Sequence, residues 1–530
     1  MIHKHQYTLP INHATFVGMH PLSLGIFHNQ FTDHFPGDET GNPQPRSTPG
    51  MLYSLTTPTP VKSPLLLAWS NDLAAELGIA FPNDSDLQIL GGNQITASMK
   101  PYAACYAGHQ FGHWAGQLGD GRAITLGEWQ KPDGGFAELQ LKGSGITPYS
   151  RGADGRAVLR SSLREYLMSE AMHHLGVPTT RALSLVSTGD GVMRDMFYNG
   201  FPEMEPGAIV MRVAPSFLRF GNFEILAARK EIEQLQRLVK WTISRYFPDI
   251  NGEEKILLWF EEVLKRTAKL MVEWMRVGFV HGVMNTDNMS VLGLTIDYGP
   301  FSFLDDYDSN FTPNTTDLPG RRYAFDKQAQ VGQWNLGCFA GALAPLVKDA
   351  QALVAILENY ATTYWRFYYE MMAGKLGLDE VRDDDIAFIL EWNKMLDNLH
   401  PDMTIFYQLL ASMDAPSVEH FNDSFYDALN EDEQLILMKV LTQYHQRINT
   451  NHINKVASQE KMKLSNPRFI LRNYLLQQAI EFLQYGDDSL FNKLQIAIKS
   501  PYSNANDLFF VKRPDWAKQK AGCSMLSCSS

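Results

Sequence analysis

The stretch from Glu254 to Gly299 constrains this chain more than any other. Residues 254–277 set Leu257, Phe260, Val263, Leu264, Leu270, Met271 and Trp274 on one broad apolar helix face, which Gly278 ends. That helix delivers the chain directly into HGVMNTDNMSVLGLTIDYG at 281–299. Two Asp-containing clusters flank a short apolar run there, and the pattern predicts a hairpin that brings Asn288 and Asp297 together. Their amide and carboxylate oxygens are hard ligands suited to a Mg²⁺ that also holds phosphates. The blander alternative is a pair of Asx turns at the hairpin ends.

The segment ahead of it reads as strands. GQLGDGRAITLGEW from Gly116, a turn at Lys131 to Gly135 and AELQLKGSG to Gly145 predict a β-hairpin. Within it, GDGR at Gly119 to Arg122 places two glycines at a turn whose backbone N–H groups can approach a phosphate, next to one guanidinium. Lys142 ends the second strand, at the lip of a sheet. An amphipathic helix is then predicted over Asp154 to Leu175, stopped by Gly176 and Pro178. Lys142 to Arg181 carries six basic residues against three acidic ones, a local excess in a chain of net charge −12. A solvated helix face is the competing explanation. A strand lysine that touches phosphates needs a carboxylate partner on the next helix. The helix offers Glu165 and Glu170, and the wheel through Leu159, Leu163 and Tyr166 selects Glu170.

These parts together follow the kinase-like order, in which H-x-D-x-x-x-x-N supplies a base and a metal ligand and D-F-G supplies a second ligand. Asn288 stands in the Asn position and Asp297 opens D-Y-G in place of D-F-G. The base position is occupied by Val283, which accepts no proton. Asp287 is the nearest carboxylate for that role. The expected fold is α+β and protein-kinase-like. Residues 1–60 form an N-terminal extension, 61–205 a strand-rich N-lobe, 206–450 a helical C-lobe, and 451–530 a helical extension with a Cys-containing tail. Helical patterns recur at about 351–373, 387–398, 403–412, 432–448 and 468–485, without an internal repeat.

At these residues the chain resembles the selenoprotein O family of kinase-fold protein adenylyltransferases. The resemblance rests on YAGHQFGHWAGQLGDGRAI at 106–124, on 141–183, on MRVAPSFLRFGNFE at 211–224, on 281–301 and on the terminal SCSS. It implies transfer of AMP from ATP to Ser, Thr or Tyr hydroxyls of protein substrates, with the nucleotide flipped relative to kinases. It implies nucleotide contacts from Gly119, Gly121, Arg122, Lys142, Asp154, Gly155, Arg212, Arg219 and Asp297. Mg²⁺, or Mn²⁺ in its place, would sit on Asn288 and Asp297, Asp287 would be the base, and Glu165 would be the lysine partner. Family members also give the terminal Cys or selenocysteine a redox role, in some by pairing with a Cys after D-Y-G. This chain has no Cys between Asp297 and Tyr323, which leaves Cys523 and Cys528 to pair with each other or to sit in an inert tail.

Composition narrows the alternatives. At roughly 100–200 residues per domain, 530 residues predict two to four packed units. The negative balance opposes a general nucleic-acid grip, so any anion must be met by a local pocket. Four cysteines are too few for a disulfide framework. No signal peptide or membrane span is evident, and a monomeric cytoplasmic protein is expected. Two other readings stay open: a kinase-like phosphotransferase, which Val283 disfavours, and a nucleotide-binding pseudokinase scaffold without turnover.

Overall fold

The computed structural model describes residues 19–196, 200–523 and 525–527. Alternation along one strand sets the layering of the first half. In Phe136–Lys142, Leu139 and Leu141 enter a core with Trp69, Leu73, Ile89, Ile209 and Met211, while Glu138, Gln140 and Lys142 project from the opposite face. One side of the sheet is thus closed by apolar packing under helices Asn71–Leu77 and Asp84–Leu90, and the other is kept polar. Truncating Leu139 to Ala would cost about 2–5 kcal/mol at such a buried site.

The predicted hairpin pairs Ala123–Gln130 with Phe136–Lys142, from Ala123 opposite Lys142 to Gln130 opposite Phe136, with a one-residue bulge between Thr125 and Gly127. Glu203–Ala214 lies on its far side, followed by Arg181–Arg194 and Leu65–Trp69. In the other direction come Tyr102–Ala104, Tyr53–Leu55 and Gly37–Asp38, the last pair parallel. The helix Leu159–His174 packs on this sheet and is buried on every side, with 13 of its 16 residues inaccessible.

The second half is helical. Lys255–Val277 runs for 23 residues and ends where Gly278 takes a left-handed φ of 75°. Trp259 and Phe260 on it pack on Phe339 of Gln328–Leu343, and Phe339 stacks on Phe220 at 4.6 Å. Asn359 divides the pattern at 351–373 into Ala350–Glu358 and Tyr360–Leu376. Asp383–Leu399, Met403–Ser412, Glu431–Ile448 and Asn473–Gln484 follow the other patterns, and Lys455–Ser465 is an additional helix. Strand-rich and helical halves form the two lobes of a kinase-like α+β body. Among the described residues no helix is long and apolar enough to cross a membrane.

The expected hairpin at 289–297 does not form. Ser290 bridges Arg219 and Thr295 bridges Thr179, with Gly293 turning the chain between them at φ 71°. Each flank pairs with a crossing segment, which satisfies its backbone without a partner in the run itself. The small sheet of this lobe is instead Phe279–Val280 with Ser302–Phe303. The end of the chain returns to the same lobe: Thr315 N–H donates to Leu526 O at 2.8 Å and Leu526 N–H to Pro313 O at 3.0 Å.

Candidate active site

Lys142 reaches the polar face of the sheet at a strand end. Its Nζ stands 2.5 Å from Glu165 Oε2 and 3.5 Å from Asp297 Oδ1, and both Lys142 and Glu165 are buried. Glu170, the choice of the helix wheel, instead accepts from Arg181 Nε at 2.7 Å and Ser70 Oγ at 2.7 Å. A wheel ranks faces by apolarity, and a helix buried all round has no single face to rank.

Two further cations enter from beyond the helix. Arg212, on Glu203–Ala214, donates to Glu165 Oε1 at 3.1 Å, to Asp297 Oδ1 and to Gln140 Oε1. Arg219, at the start of Phe220–Ala228, donates to Asp297 Oδ2 at 2.6 Å and to the Asp287 carbonyl at 2.8 Å. Its guanidinium lies 4.5 Å over the Tyr106 ring. Asp297 takes φ 60°, a left-handed value that is uncommon outside glycine and concentrated at functional sites. Burial works against its charge, but Arg219, Arg212 and Lys142 outweigh that and hold the carboxyl well below the usual range. Burial lowers the Lys142 ammonium, with Glu165 opposing.

The catalytic-loop segment is fixed through its backbone. The His281 ring donates from Nε2 to Ile296 O at 2.9 Å and accepts Val283 N–H at Nδ1, 3.3 Å. This ties the loop to the segment that carries Asp297 and defines a neutral tautomer, which burial also favours. Asn288 donates Nδ2 to Val283 O at 2.9 Å, leaving Oδ1 as the free acceptor of that amide. Asp287 lies in the 3₁₀ turn Thr286–Asn288, where Gln110 Nε2 donates to its Oδ2 at 3.2 Å. Its Oδ1 is buried without a partner, and burial pushes this carboxyl up to about 6.

The GDGR turn abuts Lys142 through Gly143 N–H to Arg122 O at 2.7 Å, and Arg122, Lys142, Ser162, Glu165 and Tyr298 line a small recess. A Cβ on Gly119 would stand 2.5 Å from the Tyr149 ring, and one on Gly121 2.8 Å from Tyr149 O. Both glycines therefore admit the neighbouring loop as well as leaving backbone open. That loop closes by Gly145 N–H to Gly155 O at 3.1 Å. Asp154 faces outward and pairs with Arg194 at 2.6 Å, apart from the central cluster. Of the six basic residues in the 142–181 run only Lys142 joins the cluster. Arg160 pairs with Glu205, Arg164 donates to Phe301 O, and Arg181 pairs with Glu170.

Residue-type patterns passed over several contributors. Asp120 is buried, accepts from Ala104 N–H at 3.1 Å and Gln140 Nε2 at 3.2 Å, and lies 4.0 Å from Arg219. Gln140 shares a strand face with Lys142, a period-two signal legible in ELQLK. Gln110 and Tyr106 come from YAGHQFGHW, where no spacing marks them. Cys523 is a buried thiol pushed up to about 11 by burial, and Cys528 lies outside the described residues, as does any bond between the two.

Asn288 Oδ1, left free by the bond from its Nδ2, and the Asp297 carboxylate are hard oxygens of the kind a divalent cation takes. A strand lysine paired to a helix glutamate, with arginines converging on an aspartate, is the arrangement of a kinase-like, nucleotide-handling enzyme. The profile of protein adenylyltransferase SelO matches residues 42–499. Protein nucleotidyltransferase YdiU of Cytophaga hutchinsonii is 60% identical over 508 residues, covering 95% of this chain and 98% of that one. The proteins of that name from Xanthomonas campestris pv. campestris (strain B100) and Azoarcus sp. are each 51% identical, over 95% and 97% of this chain and 99% and 100% of theirs. The chain belongs to the SelO family and is a protein nucleotidyltransferase. ROP2 from Toxoplasma gondii, described as a virulence factor with a protein-kinase fold and no enzymatic activity, matches 76% of this chain and 87% of that chain. The match has 12% identity and a TM-score of 0.21, too weak a superposition to add to the assignment.

Proposed function

We propose that this enzyme transfers AMP from ATP to Ser, Thr or Tyr hydroxyls of protein substrates and releases pyrophosphate. The observation that carries the reading is the convergence of Lys142, Arg212 and Arg219 on Asp297 beside Asp287, while Val283 leaves the usual base position apolar. The acceptor oxygen attacks the α-phosphorus, the bond from that phosphorus to the bridging oxygen breaks, and the electron pair leaves on pyrophosphate. Asp287 takes the hydroxyl proton at its unpartnered Oδ1. Lys142, Arg212 and Arg219 offset charge growing on the non-bridging and leaving oxygens. Gly119, Gly121, Arg122, Asp154 and Gly155 contribute to nucleotide binding around the mouth.

Asn288 and Asp297 would hold Mg²⁺, or Mn²⁺ in its place, which when bound neutralises phosphate charge. The protein works as a cytoplasmic monomer. The test runs α-labelled and γ-labelled ATP in parallel with the full-length chain and candidate proteins, followed by mass spectrometry. Label from the α-position with a mass gain of AMP is expected, and Val283→Asp does not create γ-transfer. Protein labelled only from the γ-position overturns the reading.

A further inference from the structure

His109, Glu224 and Cys338 converge beside the active site and take no part in the chemistry above. His109 lies on the strand Ala107–Gln110, Glu224 on Phe220–Ala228 and Cys338 on Gln328–Leu343. One ligand atom from each lies within 4.8 Å of the other two, and His109 Nδ1 is 2.7 Å from Glu224 Oε1. The Glu224 side chain is 3% exposed, yet its Oε2 has no hydrogen-bond partner. A buried carboxylate oxygen left unpaired carries a desolvation cost that a cation would remove.

We propose that these three side chains bind a borderline divalent cation of the Zn²⁺ or Co²⁺ class, at a site separate from the nucleotide cation. Imidazole, carboxylate and thiolate together select such an ion over Mg²⁺, whose preference is for oxygen. Thiolate and carboxylate cancel the ion's two charges, and binding releases the thiol proton to solvent. Three protein ligands leave a fourth position, and the partly exposed His109 and Cys338 place it toward solvent.

The site is wired to the base. His109 N–H donates to Thr286 Oγ1 at 2.7 Å, and the next residue, Gln110, donates to Asp287. An ion that locks His109 to two helices of the C-lobe therefore fixes the strand that positions Thr286 and Asp287. Trp114 and Trp334 flank the His109 ring at 5.0 and 5.4 Å, so each is a reporter of the ion.

The experiment takes the chelator-stripped full-length chain in excess Mg²⁺ and titrates it with Co²⁺. One equivalent should produce a thiolate-to-cobalt charge-transfer band with quenching of tryptophan emission, both reversed by one equivalent of Zn²⁺. The band should vanish in Cys338→Ser and persist in Asp297→Asn and in a Cys523→Ser, Cys528→Ser double variant. A wild-type chain that shows no band, or a band that follows Cys523 and Cys528, overturns the proposal without reference to whether Cys338→Ser folds. Neither outcome depends on AMP transfer, so failure here is distinct from failure of the enzymatic reading.

Discussion

Replacing single members of the central ion cluster gives an asymmetry that follows from which partners each one leaves behind. Lys142, Arg212 and Arg219 face Glu165 and Asp297, with Asp120 as a third carboxylate 4.0 Å from Arg219. Glu165→Gln leaves Lys142 only Asp297 at 3.5 Å, a carboxylate that both guanidinium groups already hold. Lys142→Met leaves Glu165 bound to Arg212 at 3.1 Å and Asp297 bound to both guanidinium groups, so no carboxylate loses its last cation. Two unit charges about 4 Å apart interact by about 4 kcal/mol at an effective dielectric near 20, and stranding one member of a buried pair costs about 3–5 kcal/mol. Glu165→Gln should therefore lose about 3–5 kcal/mol and Lys142→Met about 1 kcal/mol or less. The double variant should recover about 2 kcal/mol of the Glu165→Gln loss, the size of a contact coupling. Urea unfolding of the nucleotide-free full-length chain, followed by tryptophan fluorescence and circular dichroism, reads all three. Equal losses from the two single variants, or no recovery in the double, would refute this account of the pairing.

Asp287→Asn should slow AMP transfer about 10²–10⁴-fold with ATP-induced thermal stabilisation intact, because Arg219 grips the Asp287 carbonyl, which the substitution keeps. Loss of that stabilisation would assign Asp287 to nucleotide binding instead. Glu138 is buried and pushed up to about 8 from 4.5, so its native pKa lies above its unfolded one. It then costs stability progressively as pH rises from about 4.5 to about 8. Glu138→Gln should be more stable by about 3 kcal/mol at pH 7 and by nothing near pH 4.5, a difference checked by urea unfolding across that range. Gly155→Ala sets a Cβ 2.0 Å from Gly145 O at φ 66°, whereas Gly152→Ala, at φ 88°, meets nothing within 4 Å. The first should cost about 2 kcal/mol or more and weaken nucleotide binding, and the second about 1 kcal/mol. Equal thermal shifts would remove the steric argument.

What the chain discloses in advance divides by the range of the forces involved. The hairpin to Lys142 and the helix closed by Gly278 are set by local period and turn chemistry, and both stand where those signals put them. The 289–297 hairpin failed because Ser290 and Thr295 found partners at Arg219 and Thr179, far off in sequence. The basic run at 142–181 is contiguous only in sequence. Its arginines disperse to Glu205, Phe301 and Glu170, each a pairing that only tertiary structure creates. Glu165 and Glu170 illustrate the limit most sharply, since both are buried and both are paired. The same holds for the two- and three-residue strands at 37–38 and 53–55, too short for any period to show.

Val283 shows how a kinase-like loop tolerates the loss of its usual carboxylate. The loop is held by Val283 N–H on His281 and Val283 O on Asn288, bonds that any residue at 283 can make. Side-chain identity there is consequently separable from loop geometry. Asp287 is fixed independently, by Arg219 on its carbonyl and Gln110 on its carboxylate, four residues along and next to Asn288, the proposed cation ligand. In the proposed AMP transfer, Lys142, Glu165, Asn288 and Asp297 keep the kinase-like order while the acceptor of the hydroxyl proton moves from position 283 to Asp287.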